Sequence, residues 1–372
     1  MKISDVIIDM HQGINTVADK VEYLDSGIPI IQSKNFTKGY LDLEDVRYLG
    51  EEDEKKYIEK YNPHVGDILM ANIGTIGKSY VISEEQKFLI AWNAFLIKPN
   101  AEKVKSDFLK FYFDYLASTH YFDGLLTGGT VKFINKKKIG DINIPDKSLA
   151  EQSEICNVLS QVEKVIIQRQ QEMELLDDLI KARFVEMFGD PVHSDKYSTR
   201  KLLSCVADKS DMVDGPFGSQ VNTKVDYIED GEVPVIRTVN VKMMSFSPAD
   251  LKYMTREKYE TVKRSQVLPG DVILTKVGTI GNVCIFPDSF EEAVLSTTGS
   301  CRIRVDNSIE NTVFFAYNLM YLKGKLLEIA SAGVQPFLNM NHVKNIDILD
   351  VPLDKQIEFS DFVKQVDKSK FI

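Results

Sequence analysis

The run ANIGTIGKS at residues 71–79 carries the residue types of a phosphate cradle: two glycines, a lysine and hydroxyls. A phosphate-binding loop of that kind needs Gly, four residues, then Gly-Lys-Ser/Thr. Counting back from Gly77-Lys78-Ser79 puts Asn72 where the first glycine belongs. The flanking runs DILMA and SYVIS are β-like, so the glycines also fit a tight turn between two strands. Both readings stand at this point.

Other reactive constellations are sparse. The five histidines (His11, His64, His120, His193, His342) fall at no metal-ligand spacing. Cys156, Cys205, Cys284 and Cys301 form no Cys-x-x-Cys pair and read as reduced, cytosolic thiols. Adenine methyltransferases need a polar–Pro–Pro–aromatic loop, and the nearest run, NPHV (62–65), has one proline. No Gly-x-Gly-x-x-Gly precedes a plausible helix, and the Glu-x-Lys within EEDEKK (51–56) sits in a charged surface run with no paired Pro-Asp beside it. The chain is therefore read as one that binds rather than catalyses, with no metal or cofactor of its own.

An internal repeat sets the architecture. HVGDILMANIGTIGKSYVI from His64 returns as LPGDVILTKVGTIGNVCIF from Leu268; Gly66, Asp67, Gly74, Thr75, Ile76 and Gly77 recur 204 residues later as Gly270, Asp271, Gly278, Thr279, Ile280 and Gly281. GIPIIQSKNF (27–36) matches GEVPVIRTVNV (231–241), with Pro29 on Pro234 and Asn35 on Asn240. TVKFINKKKIGDI (130–142) matches VQPFLNMNHVKNI (334–346), with Phe133 on Phe337, and LAEQSEI (149–155) matches LDKQIEF (353–359), with Gln152 on Gln356. Matching blocks in one order at nearly the same offset, 204 or 205 residues, make this a tandem duplication of a domain followed by a helix. In the second copy the lysine of the opening run becomes Asn282 while Gly-Thr-Ile-Gly survives, so the copies share a turn rather than a phosphate-coordinating lysine.

Within this frame the polar residues differ: QSKN (32–35) against RTVN (237–240), and Lys78 against Asn282. Lys and Arg suit phosphates and guanine, Asn and Gln suit adenine, and hydroxyls serve either. The first copy thus offers Gln32, Ser33, Lys34, Asn35, Thr75, Lys78, Thr130, Lys132, Asn135 and Lys136 as DNA-contacting candidates. The second offers Ser219, Gln220, Arg237, Thr238, Asn240, Lys276, Thr279, Gln335, Asn339 and Asn341. Lys132, Lys136, Lys137 and Lys138 make a local basic cluster although the formal net charge is −10.

After each copy the pattern becomes helical. From Leu149 to Phe188 there is no proline or glycine, and apolar residues fall at Ile155, Leu159, Val162, Ile166, Met173, Leu176, Ile180, Phe184 and Met187. Steps of three and four make a narrow seam, interrupted by Arg169, on a rod of about 60 Å. The run ends at FGDP (188–191). A shorter seam follows at Ile357, Phe359, Phe362, Val363 and Val366. The expected class is α+β: two repeated mixed α/β domains separated by long helices that pair as an antiparallel coiled coil. Glu151, Glu154, Glu163, Glu172 and their neighbours place much of the negative charge on the rod. A chain of 372 residues, 44% hydrophobic and 27% charged, fits a soluble protein of two or three domains. No membrane-length apolar run or signal-peptide core occurs.

The repeat, GDILMANIGTIG and GDVILTKVGTIG, GPFGS (215–219), the LAEQSEI start of the long helix and the MFGDP end of it together resemble the specificity subunit of type I restriction-modification systems, over nearly the whole chain. The resemblance implies target recognition domains at 1–146 and 191–350, a spacer helix at 147–190 and a short C-terminal partner helix at 351–372. It implies that each domain reads one half of a split double-stranded DNA site. Two methyltransferase subunits would dock on the helices, with restriction subunits joining the larger complex. S-adenosylmethionine and ATP would bind those partners, not this chain, and the assembly would be cytoplasmic. A nucleotide-binding enzyme built on the duplicated Gly-Thr-Ile-Gly loops, or a protein-binding scaffold, remain as alternatives.

Overall fold

The computed structural model describes residues 1–37, 39–61, 63–129, 131–193, 196–330 and 336–370. The chain divides into two units, Met1–Arg169 and Gln170–Ile372.

The first unit holds α1 (Ile3–Val6), α2 (Glu51–Tyr61), α3 (Ser106–Ser118) and α4 (Lys136–Gly140), and the start of α5 (Leu149–Phe188). Its strands are β1 (Ile7–Gln12), β2 (Ile28–Ile31), β3 (Arg47–Leu49), β4 (Ile68–Ala71), β5 (Ser79–Val81), β6 (Leu89–Ile90) and β7 (Ala94–Pro99). An antiparallel sheet runs β1-β7-β4-β5, and a smaller one runs β3-β2-β6 with β2 and β6 parallel. Strand β4 is buried throughout, so it reads as a continuous apolar run. Its side chains still alternate: Ile68 and Met70 join Phe108, Leu109 and Phe113 of α3, while Leu69 and Ala71 join Ile30, Ile31 and Leu89 of the small sheet.

The second unit repeats this plan. Its strands are β8 (Thr199–Lys201), β9 (Met212–Asp214), β10 (Val233–Ile236), β11 (Val241–Lys242), β12 (Ser245–Phe246), β13 (Lys252–Met254), β14 (Gln266–Val267), β15 (Val272–Thr275), β16 (Val283–Ile285), β17 (Ala293–Leu295), β18 (Ser300–Ile303) and β19 (Asp347–Leu349). Its helices are α6 (Arg256–Thr261), α7 (Thr312–Tyr321), α8 (Lys323–Ala330), α9 (Met340–Lys344) and α10 (Leu353–Ser369), besides the end of α5. The sheet β16-β15-β18-β9 has the order of β5-β4-β7-β1, and β13-β10-β17 that of β3-β2-β6, again with one parallel pair. The repeated Gly-Asp doublet is structural. Asp67 accepts the His64 N–H and holds Lys98 at 2.9 Å; Asp271 accepts the Leu268 N–H and holds Arg304 through two 2.8 Å bonds.

Helix α5 starts on a capping box, in which Glu151 N–H donates to Ser148 Oγ and Ser148 N–H to Glu151 Oε2. The Ser148 amide and the Lys147 ammonium hold the Glu151 carboxyl down to about 2. Gly189, at φ 79°, ends the helix with its N–H on Val185 O. Its last turns pack antiparallel to α10: Arg183 meets Glu358 at 2.9 Å and Asp177 meets Lys370 at 2.7 Å. The expected pairing thus occurs over the C-terminal part of α5, where α7 joins it. Phe184 lies 5.3 Å from Phe359, 5.8 Å from Phe314 and 4.6 Å from Tyr321, ring centre to ring centre. Between Ile155, which packs on the first domain's core, and this cluster the seam is uncovered, and Leu159, Val162, Ile166 and Met173 are exposed.

Candidate nucleic-acid interface

In each domain the Gly-Thr-Ile-Gly turn closes the central hairpin by the same three bonds. Ala71 N–H donates to Lys78 O, Gly77 N–H to Ala71 O and Lys78 N–H to Thr75 O, at 2.9, 3.0 and 3.1 Å. Thr275, Gly281 and Asn282 repeat them onto Asn282, Thr275 and Thr279 at the same three distances. Gly77 and Gly281 sit at φ 89° and 81°, and a Cβ there would strike Phe122 at 2.2 Å or Lys323 at 2.9 Å. Gly74 and Gly278 also have positive φ but face open space, and Thr75 and Thr279 are exposed at the tips. A strand, not a helix, follows each turn, so no helix N-terminus supplies the free N–H groups a nucleotide phosphate would need. The nucleotide-loop alternative loses its basis there.

The other repeat blocks converge on this turn. In the first domain Ile134 N–H donates to Asn72 O at 3.1 Å, and Asn72 N–H reaches Asn93 O at 3.3 Å. The Asn93 amide in turn bonds Ser33, at 3.3 Å to its N–H and 3.2 Å to Oγ. In the second, Leu338 N–H donates to Lys276 O and Lys276 N–H to Gly299 O, both at 2.8–2.9 Å. A cleft of about 560 Å³ opens there, lined by Arg237, Thr238, Lys252, Tyr227, Thr297 and Gly278 among others.

The sequence-derived candidates divide by exposure. Lys34, Thr75, Lys78, Lys132, Lys136, Ser219, Gln220, Thr279 and Asn341 are exposed; Gln32, Ser33, Asn135, Arg237, Thr238 and Asn339 are half-buried. Lys34 pairs with Asp45 at 2.6 Å and Lys136 with Asp9 at 3.1 Å. Ser219 and Gln220 lie in the loop leaving Gly215, whose N–H donates to Ser300 O at 3.4 Å. Thr130 and Gln335 lie outside the described residues.

Three candidates are corrected by burial. Asn35 and Asn240 point inward: Oδ1 accepts the Gln32 or Arg237 N–H at 3.0 Å, and Nδ2 donates to Asp42 O and Asp45 O, or to Ser247 O and Ala249 O. Each amide is consumed in shaping the turn that carries Gln32–Lys34 or Arg237–Val239, so neither is left to read a base. Lys276 is buried against Asp214. Asn135 and Asn339 cap α4 and α9, accepting N–H bonds from Lys138 at 3.0 Å and His342 at 2.8 Å. Lys78 stays exposed, whereas Asn282 is buried, donating to Val241 O at 3.1 Å and accepting from Lys323 Nζ at 2.9 Å. Cys205, Cys284 and Cys301 are buried, which pushes each thiol up to about 12, away from nucleophilic use.

The repeated glutamine, unassigned from sequence, joins each domain to its helix. Gln152 Oε1 accepts the Lys105 N–H at the start of α3, and its Nε2 donates to Lys103 O and Lys147 O. Gln356 does the same for Asn311 N–H and Val351 O, and also reaches Glu310 at 3.2 Å. Glu310 is fully buried against Arg200, and burial pushes its carboxyl up to about 7. The signal was present in sequence as the Gln152–Gln356 match; its partners, some 45 residues distant, were not.

The family model of the type I restriction modification DNA specificity domain matches residues 1–176 and 217–372. The chain belongs to this family. A putative type I restriction enzyme MjaX specificity subunit from Methanocaldococcus jannaschii is 22% identical, over 98% of this chain and 86% of that one. The MjaVIII specificity subunit of the same organism is also 22% identical, over 94% and 85%. The crystal structure of the type I restriction-modification S subunit from M. genitalium shares the fold, with a TM-score of 0.55 at 13% identity, covering 100% of this chain and 89% of that one. As a specificity subunit the chain recognises DNA sequence, and the turns carrying Gln32–Lys34 and Arg237–Val239 differ in polar chemistry within its duplicated frame. Among the described residues no helix is long and apolar enough to cross a membrane.

Proposed function

We propose that this specificity subunit reads a bipartite, asymmetric double-stranded site in the cytoplasm, one half with residues 1–146 and the other with 191–350. The observation carrying this reading is the duplicated Gly-Thr-Ile-Gly face, one backbone frame presenting Gln32-Ser33-Lys34 in one copy and Arg237-Thr238-Val239 in the other. The shared frame holds a turn against the duplex, and the differing tips make hydrogen bonds to different base edges. The helices at 147–190 and 351–372 set the spacing of the half-sites and dock two methyltransferase subunits. The uncovered seam at Leu159, Val162 and Ile166 supports a protein partner there. The methyltransferase takes S-adenosylmethionine and extrudes the adenine it modifies; restriction subunits bring ATP. This chain supplies recognition without chemistry.

Methylome sequencing of a host expressing this chain with its methyltransferase tests the reading. One bipartite adenine motif is expected. Replacing residues 1–146 by those of another family member should change one half of the motif and leave the other half and the spacing intact; a motif unchanged by the swap overturns the two-reader mechanism.

A further inference from the structure

The duplication serves as an internal comparison of the two reading faces, because strand register fixes which positions correspond. In the first domain Ile30 pairs with Arg47 across β2 and β3; in the second, Val235 pairs with Lys252 across β10 and β13. Ile31 and Ile236 follow in the same register on their parallel neighbours, facing Ile90 and Leu295. The next bonds, Ala91 N–H to Ile31 O and Ser296 N–H to Ile236 O, place Trp92 on Thr297. Isolated bridges from Leu24 to Tyr48 and from Ile228 to Tyr253 place Tyr23 on Tyr227.

The positions then separate into two groups. A tyrosine and a cation occur in both domains. Arg47 lies 4.5 Å over the Tyr23 ring, is exposed, and has no carboxylate partner among the described residues. Lys252 and Tyr227 line the cleft of the second domain together, Lys252 against the well-exposed Glu229 carboxylate. The other group changes chemistry outright: Gln32 against Arg237, Lys34 against Val239, and the single, exposed Trp92 against Thr297.

We infer that Arg47 and Lys252 are equivalent phosphate anchors, gripping the DNA backbone whatever its sequence, while Trp92 and Thr297 belong to the sequence-reading set. This rests on the DNA-reading function proposed above. A feature that must serve two different half-sites has to contact what every duplex shares, the phosphate; a feature that sets one half-site apart from the other has to differ. Guanidinium and ammonium both serve as phosphate partners. An exposed tryptophan offers the bases an apolar contact that a threonine replaces with a hydroxyl and a methyl.

The test uses the full chain and a fluorescein-labelled duplex of random sequence, with affinity followed across a salt series. Arg47→Ala and Lys252→Ala should each flatten the slope of log K against log salt by about 0.9, and Arg47→Lys should restore it. Co-expressed with the methyltransferase, both alanine variants should methylate the wild-type motif, whereas Trp92→Ala should alter the half read by the first domain alone. An unchanged salt slope, or a changed motif in Arg47→Ala or Lys252→Ala, overturns the anchor assignment, and an unchanged motif in Trp92→Ala overturns the reader assignment. These failures leave wild-type binding and methylation intact. Wild-type chain that neither binds duplex nor directs methylation would instead overturn the underlying reading.

Discussion

At the residue scale, asparagine chemistry looked alike in sequence and proves divided in structure. Asn35 and Asn240 sit at matching places in QSKN and RTVN, and base-reading residues would look the same in a one-dimensional pattern. What separates them from Gln32 and Arg237 is direction: three bonds turn each asparagine inward, and the resulting backbone turn pushes its neighbours out. A repeat marks positions that matter to the fold and positions that matter to the ligand equally, so burial alone decides. Asn240→Ala would leave the Arg237 N–H and the Ser247 and Ala249 carbonyls without their partner, and losing buried bonds of this kind costs about 3 kcal/mol in all. The expected outcome is a lower urea midpoint with the methylated motif unchanged. A changed motif at wild-type stability would return Asn240 to the reading set.

At the element scale, the hairpin around Gly-Thr-Ile-Gly, the duplicated block order and the span of α5 were all legible, because glycine turns, offsets and helical periodicity are local properties. The path of the helical seam was not. Periodicity shows that Ile155 through Met187 share a stripe but not what each section meets. The structure gives Ile155 to the first domain's core, and Leu176, Ile180 and Phe184 to α7 and α10. The helix pairing expected from sequence therefore becomes a three-helix contact in which Phe314, Tyr317 and Tyr321 of α7 take part. Phe184 is fully buried at its centre. Phe184→Ala should cost about 3–5 kcal/mol, seen as a large fall in the melting temperature of the second unit. A cost below about 0.5 kcal/mol, within the range of an exposed substitution, would show that α10 holds to α5 by its ion pairs instead.

At the scale of the whole molecule, the acidic total and the DNA-binding role are reconciled by where charge and apolar surface lie. Helix α5 carries exposed acids together with an exposed apolar stripe at Leu159, Val162, Ile166 and Met173, with Ile166 53% accessible. A solvated rod has no use for such a stripe, and burying it against partner helices gains about 25 cal/mol per Å². The division of labour proposed here predicts that stripe and reading faces fail independently. Val162→Lys with Ile166→Lys should leave the melting curve and duplex binding of the full chain unchanged, because both side chains already face solvent. The same pair should weaken methyltransferase co-purification by tenfold or more, since two desolvated aliphatic anchors are worth roughly 1.5 kcal/mol each or more and 1.4 kcal/mol is a factor of ten. Co-purification at wild-type level would place the docking surface elsewhere. Loss of duplex binding in the same variant would mean that the stripe serves recognition as well, and that the rod is more than a spacer.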